Sequence, residues 1–317
     1  MKYAISITVF VFLAFFFFVK FDDAFAPAYF QKPDQAKPVV SEKAVTVVVV
    51  GDMMLGRFVE DLAIRNHDWN YSFASTSGIF AGADLVFGNF ESALPKEHVK
   101  TPVYGYQFSV RKEMAEAAKR AGVNVVTLAN NHSSDFGAIG YEETVSALNE
   151  IGIATIGKHS DYLYERDGIK VIFMGLDDTL TRLSTSTIAE SVRSAKKENE
   201  FLIAAVHFGE EYATTSNARQ KVLAYALIDA GADVVIGHHS HSVQELEKYN
   251  GKPIFYSLGN FIFDQYFSEE TQRGLAVRIT IEEDGARYEI LPVNLAESRP
   301  RPDVSEKLLA FTAERGK

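Results

Sequence analysis

Five times along this chain an uncharged run ends in side chains able to hold a cation. Residues 45–50 lead into Gly51-Asp52, 85–87 into Gly88-Asn89-Phe90-Glu91, and 125–128, by way of Ala129, into Asn130-Asn131-His132. Residues 201–206 lead into His207-Phe208-Gly209-Glu210-Glu211, and 234–236 into Gly237-His238-His239-Ser240-His241. Carboxylates, carboxamides and imidazoles are the donors divalent cations use, and five of the eight histidines fall in these segments. The chain has no cysteine, which excludes a disulfide framework, a thiolate nucleophile, a Cys-type zinc site and a lipid-carrying cysteine. Any metal must rest on His, Asp, Glu or Asn.

Taken singly, each segment has a plainer reading. A lone His207 after a strand is commonly a hydrogen-bonded loop residue, Gly-Asp is commonly a turn, and Asn130-Asn131 suits a turn or helix cap. Three imidazoles within His238-His239-Ser240-His241 are harder to dismiss, because burying them together is costly without a shared ligand. In an extended segment alternate residues share a side, so His239 and His241 are expected to address one centre while His238 points elsewhere. Jointly, the five segments favour a metal site.

Such groups act together only if the fold gathers them. From residue 44 onward, short apolar runs alternate with helical stretches, as in βαβ units around a sheet. Strands are predicted over 45–50, 84–87, 123–128, 170–174, 201–206 and 233–236. Helices are predicted over 111–121, 141–151, 188–199 and 217–230. Hairpin-like strands follow over 253–258, 275–281 and 287–293. Ligands of such sheets collect beyond the carboxyl ends of the strands, where the five polar segments fall. The stretch Arg299-Pro300-Arg301-Pro302 and a short helical tail after it read as peripheral.

Residues 3–19 form an unbroken uncharged run, rich in Phe and bounded by Lys2 and Lys20. As a helix it would span roughly 25 Å, the short end of what crosses a bilayer. A cleaved signal peptide and a retained anchor compete here. Ala24 and Ala26 offer a cleavage pattern, but Pro27 would follow the cut, which favours the anchor. Pro27, Pro33 and Pro38 then suit residues 21–43 to an extended tether. The formal net charge of −10 argues against a nucleic-acid partner, and an anionic substrate must meet a local positive centre.

The strings Gly51-Asp52-Met53-Met54-Leu55-Gly56-Arg57, Gly88-Asn89-Phe90-Glu91, Ala129-Asn130-Asn131-His132, His207-Phe208-Gly209-Glu210-Glu211-Tyr212, Gly237-His238-His239-Ser240-His241 and 251–261 resemble, in unbroken order, the CapA/PgsA family of capsule and poly-γ-glutamate synthesis proteins. That resemblance covers residues 45–293. It implies an anchored protein in the cell membrane whose main domain, residues 44–298, is extracytoplasmic, with 1–20 as anchor and 299–317 as C-terminal tail. The implied fold is α/β: a four-layer αββα sandwich like that of calcineurin-like metallophosphoesterases, preceded by an N-terminal transmembrane helix. The implied partners are the membrane, other capsule or polyglutamate synthesis proteins and the anionic polymer.

The resemblance also implies roles. Asp52 and His241 would hold one divalent cation, and Asn131, His207 and His239 a second, with manganese, iron or zinc all suited. His132 would stabilise or protonate a leaving oxygen, oriented by Asp135 three residues on. Two positions depart from the wider superfamily: Met54 stands where a histidine ligand is usual, and Asn89 where a bridging aspartate is usual. Glu91, two residues beyond Asn89 on the same side of an extended segment, is expected to take the bridging place. Three functions stay open on these residues: a polymer-synthesis component with a metallophosphoesterase-like site, a phosphoester hydrolase unconnected to polyglutamate, and a non-catalytic scaffold binding the polymer.

Overall fold

Alternate valines of the first strand face opposite ways, and this sets the layers. The computed structural model describes residues 43–102, 105–158, 160–303, 305 and 309–314. In chain order the elements are β1 (Val45–Met53), α1 (Arg57–Arg65), α2 (Ser77–Phe80), β2 (Leu85–Phe90), α3 (Lys112–Ala121), β3 (Val123–Thr127), α4 (Gly137–Glu150) and β4 (Ala154–Ile156). There follow β5 (Tyr162–Arg166), β6 (Ile169–Asp177), α5 (Thr185–Ala195), β7 (Glu200–His207), α6 (Ala218–Ala230) and β8 (Val234–His238). The last are β9 (Leu246–Tyr249), β10 (Lys252–Phe255), β11 (Asn260–Ile262), β12 (Arg273–Ile281), β13 (Gly285–Ala296), β14 (Arg299–Pro302) and β15 (Leu309–Glu314).

Among the described residues these strands make two sheets. One runs β14-β13-β12-β1-β2-β3-β4, with β11 also on β1 and β15 also on β13; the other runs β5-β6-β7-β8-β10-β9. Val48 and Val50 pack with Val59 of α1, Met114 of α3 and Leu148 of α4. Val45, Val47 and Val49 turn the other way, onto Phe173, Ile203 and Ile236 of the second sheet. The far face of that sheet carries Ile172, Leu202 and Val235 against Ile188 of α5 and Leu223 and Leu227 of α6. Helices, sheet, sheet and helices are thus held by three apolar layers, in which each fully buried Val or Phe contributes about 1.5–3 kcal/mol. Strands buried on both faces suit the parallel pairs β1-β2-β3 and β6-β7-β8.

The expected helical tail is instead strand. β14 and β15 both pair antiparallel with β13, and Pro300 and Pro302 are tolerated because β14 is an edge strand. The C-terminal segment therefore belongs to the first sheet. Among the described residues no helix is long and apolar enough to cross a membrane. The expected anchor, and all of the expected tether except Lys43, lie outside the described residues.

Candidate metal centre

Two strand crossings bring the polar segments to one edge. β1 pairs parallel with β2 on one side and β11 on the other, which sets Asp52 opposite both Asn89 and Asn260 after a register shift beyond Val49. Such an irregularity re-aims the side chains that follow it. Gly51 permits the approach of the 258–260 segment, since a Cβ there would lie 2.0 Å from the Gly259 carbonyl oxygen. In the second sheet β7 and β8 run in register, placing His207 beside His238.

The centre of the cluster is the Asn89 carboxamide. Its Nδ2 donates to Asp52 Oδ1 at 2.9 Å and Glu91 Oε1 at 2.8 Å, and stands 3.3 Å from His207 Nδ1. Asn130 Nδ2 donates to Asn89 Oδ1 at 3.0 Å and fixes the amide's orientation. Around this core, His207 Nε2 lies 2.8 Å from Asn131 Oδ1, and the His207 and His239 ring centroids are 4.6 Å apart. His241 Nδ1 is 3.3 Å from Asp52 Oδ2 and 3.1 Å from Asn260 Oδ1, while its Nε2 stands 3.9 Å from Glu91 Oε2. Ligand atoms of Asp52, Glu91 and His207 lie within 4.8 Å of one another.

His132 sits at the rim. Its Nδ1 is 3.1 Å from Asp135 Oδ2, which also accepts from the Phe108 N–H at 2.7 Å. Asn131 Nδ2 lies 3.1 Å from His132 Nε2. An amide donor at Nε2 and a carboxylate acceptor at Nδ1 assign the neutral ring its proton on Nδ1. Phe108 stacks on the imidazole with centroids 4.0 Å apart, fixing its plane.

The structure thus brings together Asp52, Glu91, Asn131, His132, Asp135, His207, His239 and His241. It places His238 differently from the expectation and leaves Met54 outside the cluster. His238 does not point elsewhere: its Nδ1 contacts Asp52 Oδ1 at 2.9 Å. The alternation fails because the segment leaves extended geometry, with His239 at φ 94° and His241 at φ 54°. Backbone held in that region by non-glycine residues is typical of functional sites. Met54 is no ligand at all; it is fully buried in the apolar layer between the first sheet and its helices. Asn89 in β2, Asn260 in β11 and Asn130 in the loop after β3 orient the ligand groups, and a lone carboxamide gives no local signal of such work.

Electrostatics separate the two carboxylates. Burial pushes Asp52 upward, but hydrogen bonds and charge from His238 and His241 prevail and hold it well below the usual range. Glu91 is driven well above it by burial and by the Asp52 charge. Burial and neighbouring His239 depress His207, and burial and His241 depress His239. His241 alone is raised, to about 9: burial opposes its charge, but Glu91 and Asp52 outweigh it. Two buried carboxylates driven in opposite directions beside two imidazoles whose charged form burial disfavours, His207 and His239, are a poor structural core and a good cation cradle.

The donor chemistry fits a divalent cation. Glu91 Oε2, His238 Nε2 and His239 Nδ1 are buried with no hydrogen-bond partner. Buried polar atoms of native proteins are nearly always satisfied, so unpaired ones in a nest of carboxylates and imidazoles point to a bound ion. The mix of oxygen and imidazole donors suits manganese, iron or zinc.

Matches to known proteins follow the same residues. The sequence model described as bacterial capsule synthesis protein PGA_cap matches residues 46–265, well over half of the chain and every group of the cluster. The chain belongs to this family. Among its relatives, the capsule biosynthesis protein CapA of Bacillus anthracis is 30% identical over 310 residues, covering 88% of this chain and 75% of the relative. The PGA biosynthesis protein CapA of Bacillus subtilis is 29% identical over 291 residues, covering 84% and 76%. A hypothetical protein from Thermus thermophilus superposes with a TM-score of 0.49 at 16% identity, over 86% of this chain and all of the other.

Proposed function

We propose that this PGA_cap protein is a component of capsule or poly-γ-glutamate synthesis, held at the outer face of the cell membrane by residues 3–19, whose domain carries a metallophosphoesterase-like centre for one or two divalent cations. The carrying observation is the meeting of Asp52, Glu91, His207, His239 and His241 around buried, unpartnered polar atoms. The names of its relatives support the polymer-synthesis setting. Partners in this reading are the other synthesis proteins, met through the anchor, and the anionic polymer.

When bound, the cations supply Lewis-acid polarisation of a phosphoryl oxygen and activation of water near neutral pH. The chain's residues do the rest. Asp52, Glu91, Asn131, His207, His239 and His241 fix the cations; Asn89 and Asn260 orient those ligands. Hydrolysis adds water to phosphorus and breaks the bond to the leaving oxygen. Asp135 holds His132 by Nδ1 and fixes its ring, and Nε2 is the atom that passes a proton to that oxygen.

The test uses the full-length protein purified in detergent. Metal analysis is expected to find bound divalent cation that a His239→Ala/His241→Ala variant loses, together with metal-dependent hydrolysis of an aryl phosphate that His132→Ala slows about 100-fold or more. Equal metal content in the two proteins overturns the reading. Asn89 and Met54, standing where the superfamily has ligands, favour a second reading as a non-catalytic scaffold. That reading is supported if the double variant, though metal-free, still sustains polymer production in cells.

A further inference from the structure

Beside the cation cluster opens a cavity of about 460 Å³ whose floor includes His132 and His241. Its walls are aromatic: Phe108 and Phe263 are buried, whereas Tyr106 is 77% and Phe267 65% exposed. Exposed rings of this size at one mouth mark a binding surface. The rings meet at right angles. Tyr212 and Phe267 are edge-to-face at 5.0 Å and 86°, and Phe58 and Tyr266 at 6.1 Å and 86°. Perpendicular pairs form corners, not the parallel slot that clamps a flat base.

Polar groups stand among these rings. Gln265 Nε2 donates to the Tyr212 hydroxyl at 3.3 Å, and the Glu211 carboxylate also lines the cavity. Burial and Glu211 push the Tyr212 phenol up to about 12, so it remains a donor. The cavity's lining arginine is not free for a polyanion: Arg57 is paired with Asp264, and its guanidinium lies 4.7 Å from the Phe108 ring centroid. A chain of glutamates would meet Glu211 and Asp264 with no uncompensated cation among the described lining residues.

We infer that this cavity receives a sugar ring attached to the anionic group held at the cation centre, so that the substrate class is a glycosyl phosphoester and not the polyglutamate chain itself. A pyranose offers a C–H face to the ring corners and hydroxyls at its edge to Glu211, Gln265 and Tyr212. This inference rests on the cation-centre reading above.

The experiment measures binding of glucose 1-phosphate, inorganic phosphate, AMP and poly-γ-glutamate to the manganese-loaded full-length protein. Glucose 1-phosphate is expected to bind about fivefold to tenfold more tightly than inorganic phosphate, the return from one or two ring contacts. In Phe267→Ala and Tyr106→Ala, whose rings are too exposed to support the fold, that ratio is expected to fall toward one. A ratio of one in the unaltered protein, or tighter binding of AMP or poly-γ-glutamate, overturns the inference. Saturation-transfer NMR with methyl glucoside on the metal-free protein separates the two readings. A signal that Phe267→Ala abolishes supports the sugar cavity even where inorganic phosphate fails to bind and the cation centre falls. Absence of that signal in the unaltered protein overturns the cavity assignment whatever the metal does.

Discussion

Asn89→Asp puts a third carboxyl group beside Asp52 and Glu91, and the structure predicts that it harms the metal-free protein. Asn89 Nδ2 donates to Asp52 and to Glu91, both fully buried. A protonated aspartate offers one O–H donor where Asn89 offers two N–H donors. One buried acceptor is left unpaired, a loss of about 1–3 kcal/mol. A third carboxylate beside Asp52 and Glu91 must also stay protonated, at about 1.4 kcal/mol per unit of forced pKa shift. With one such unit counted the total is about 2.4–4.4 kcal/mol, and at roughly 2–4 °C per kcal/mol the melting temperature in chelator should fall by about 5–18 °C. A divalent cation reverses the sign of the interaction, because the new carboxylate becomes a ligand. Saturation at about 100 times Kd returns about 2.7 kcal/mol or more. Thermal unfolding with EDTA and with manganese, for both proteins, provides the assay. The metal-induced rise must be larger in the variant than in the unaltered protein. A variant within about 2 °C of it in EDTA, or one gaining no more from manganese, refutes this account of Asn89.

Metal uptake should release protons: His241, raised to about 9, carries a proton at pH 7 and must lose it to bind. Affinity should therefore rise with pH up to about 9, and calorimetry in buffers of different ionisation enthalpy should report that release; buffer-independent heats would contradict it. Met54→His should not rebuild a ligand, because the side chain is fully buried in an apolar layer. The expected outcome is a loss of about 2–4 kcal/mol in urea unfolding with unchanged metal stoichiometry, and an added equivalent of metal would show the assignment to be mistaken.

The cluster was legible because each of its parts is a local pattern. An apolar run ending in Gly-Asp, Asn-Asn-His or His-x-His reports a strand and its exit, and in parallel sheets exits share an edge. The five segments were therefore readable as a group, and the resemblance picked Asp52, Asn131, His207, His239 and His241 from them. Helix α1 and the C-terminal strands were not. β14, Arg-Pro-Arg-Pro, has no β-branched or aromatic residue and lacks two N–H donors, and its extended form comes from pairing with β13.

Periodic elements, donor types and their order along the chain were all written in the residue string, since these depend on neighbours a few residues away. Which donors touch was settled in three dimensions alone. His238 reaches Asp52 because the backbone at His239 and His241 adopts positive φ, and Asn89 became a carboxylate-holding amide because β1 lies between β2 and β11. Met54, two residues from Asp52, turned into the apolar core. Contacts between residues nearly two hundred positions apart arise from sheet register and packing, which no local pattern encodes.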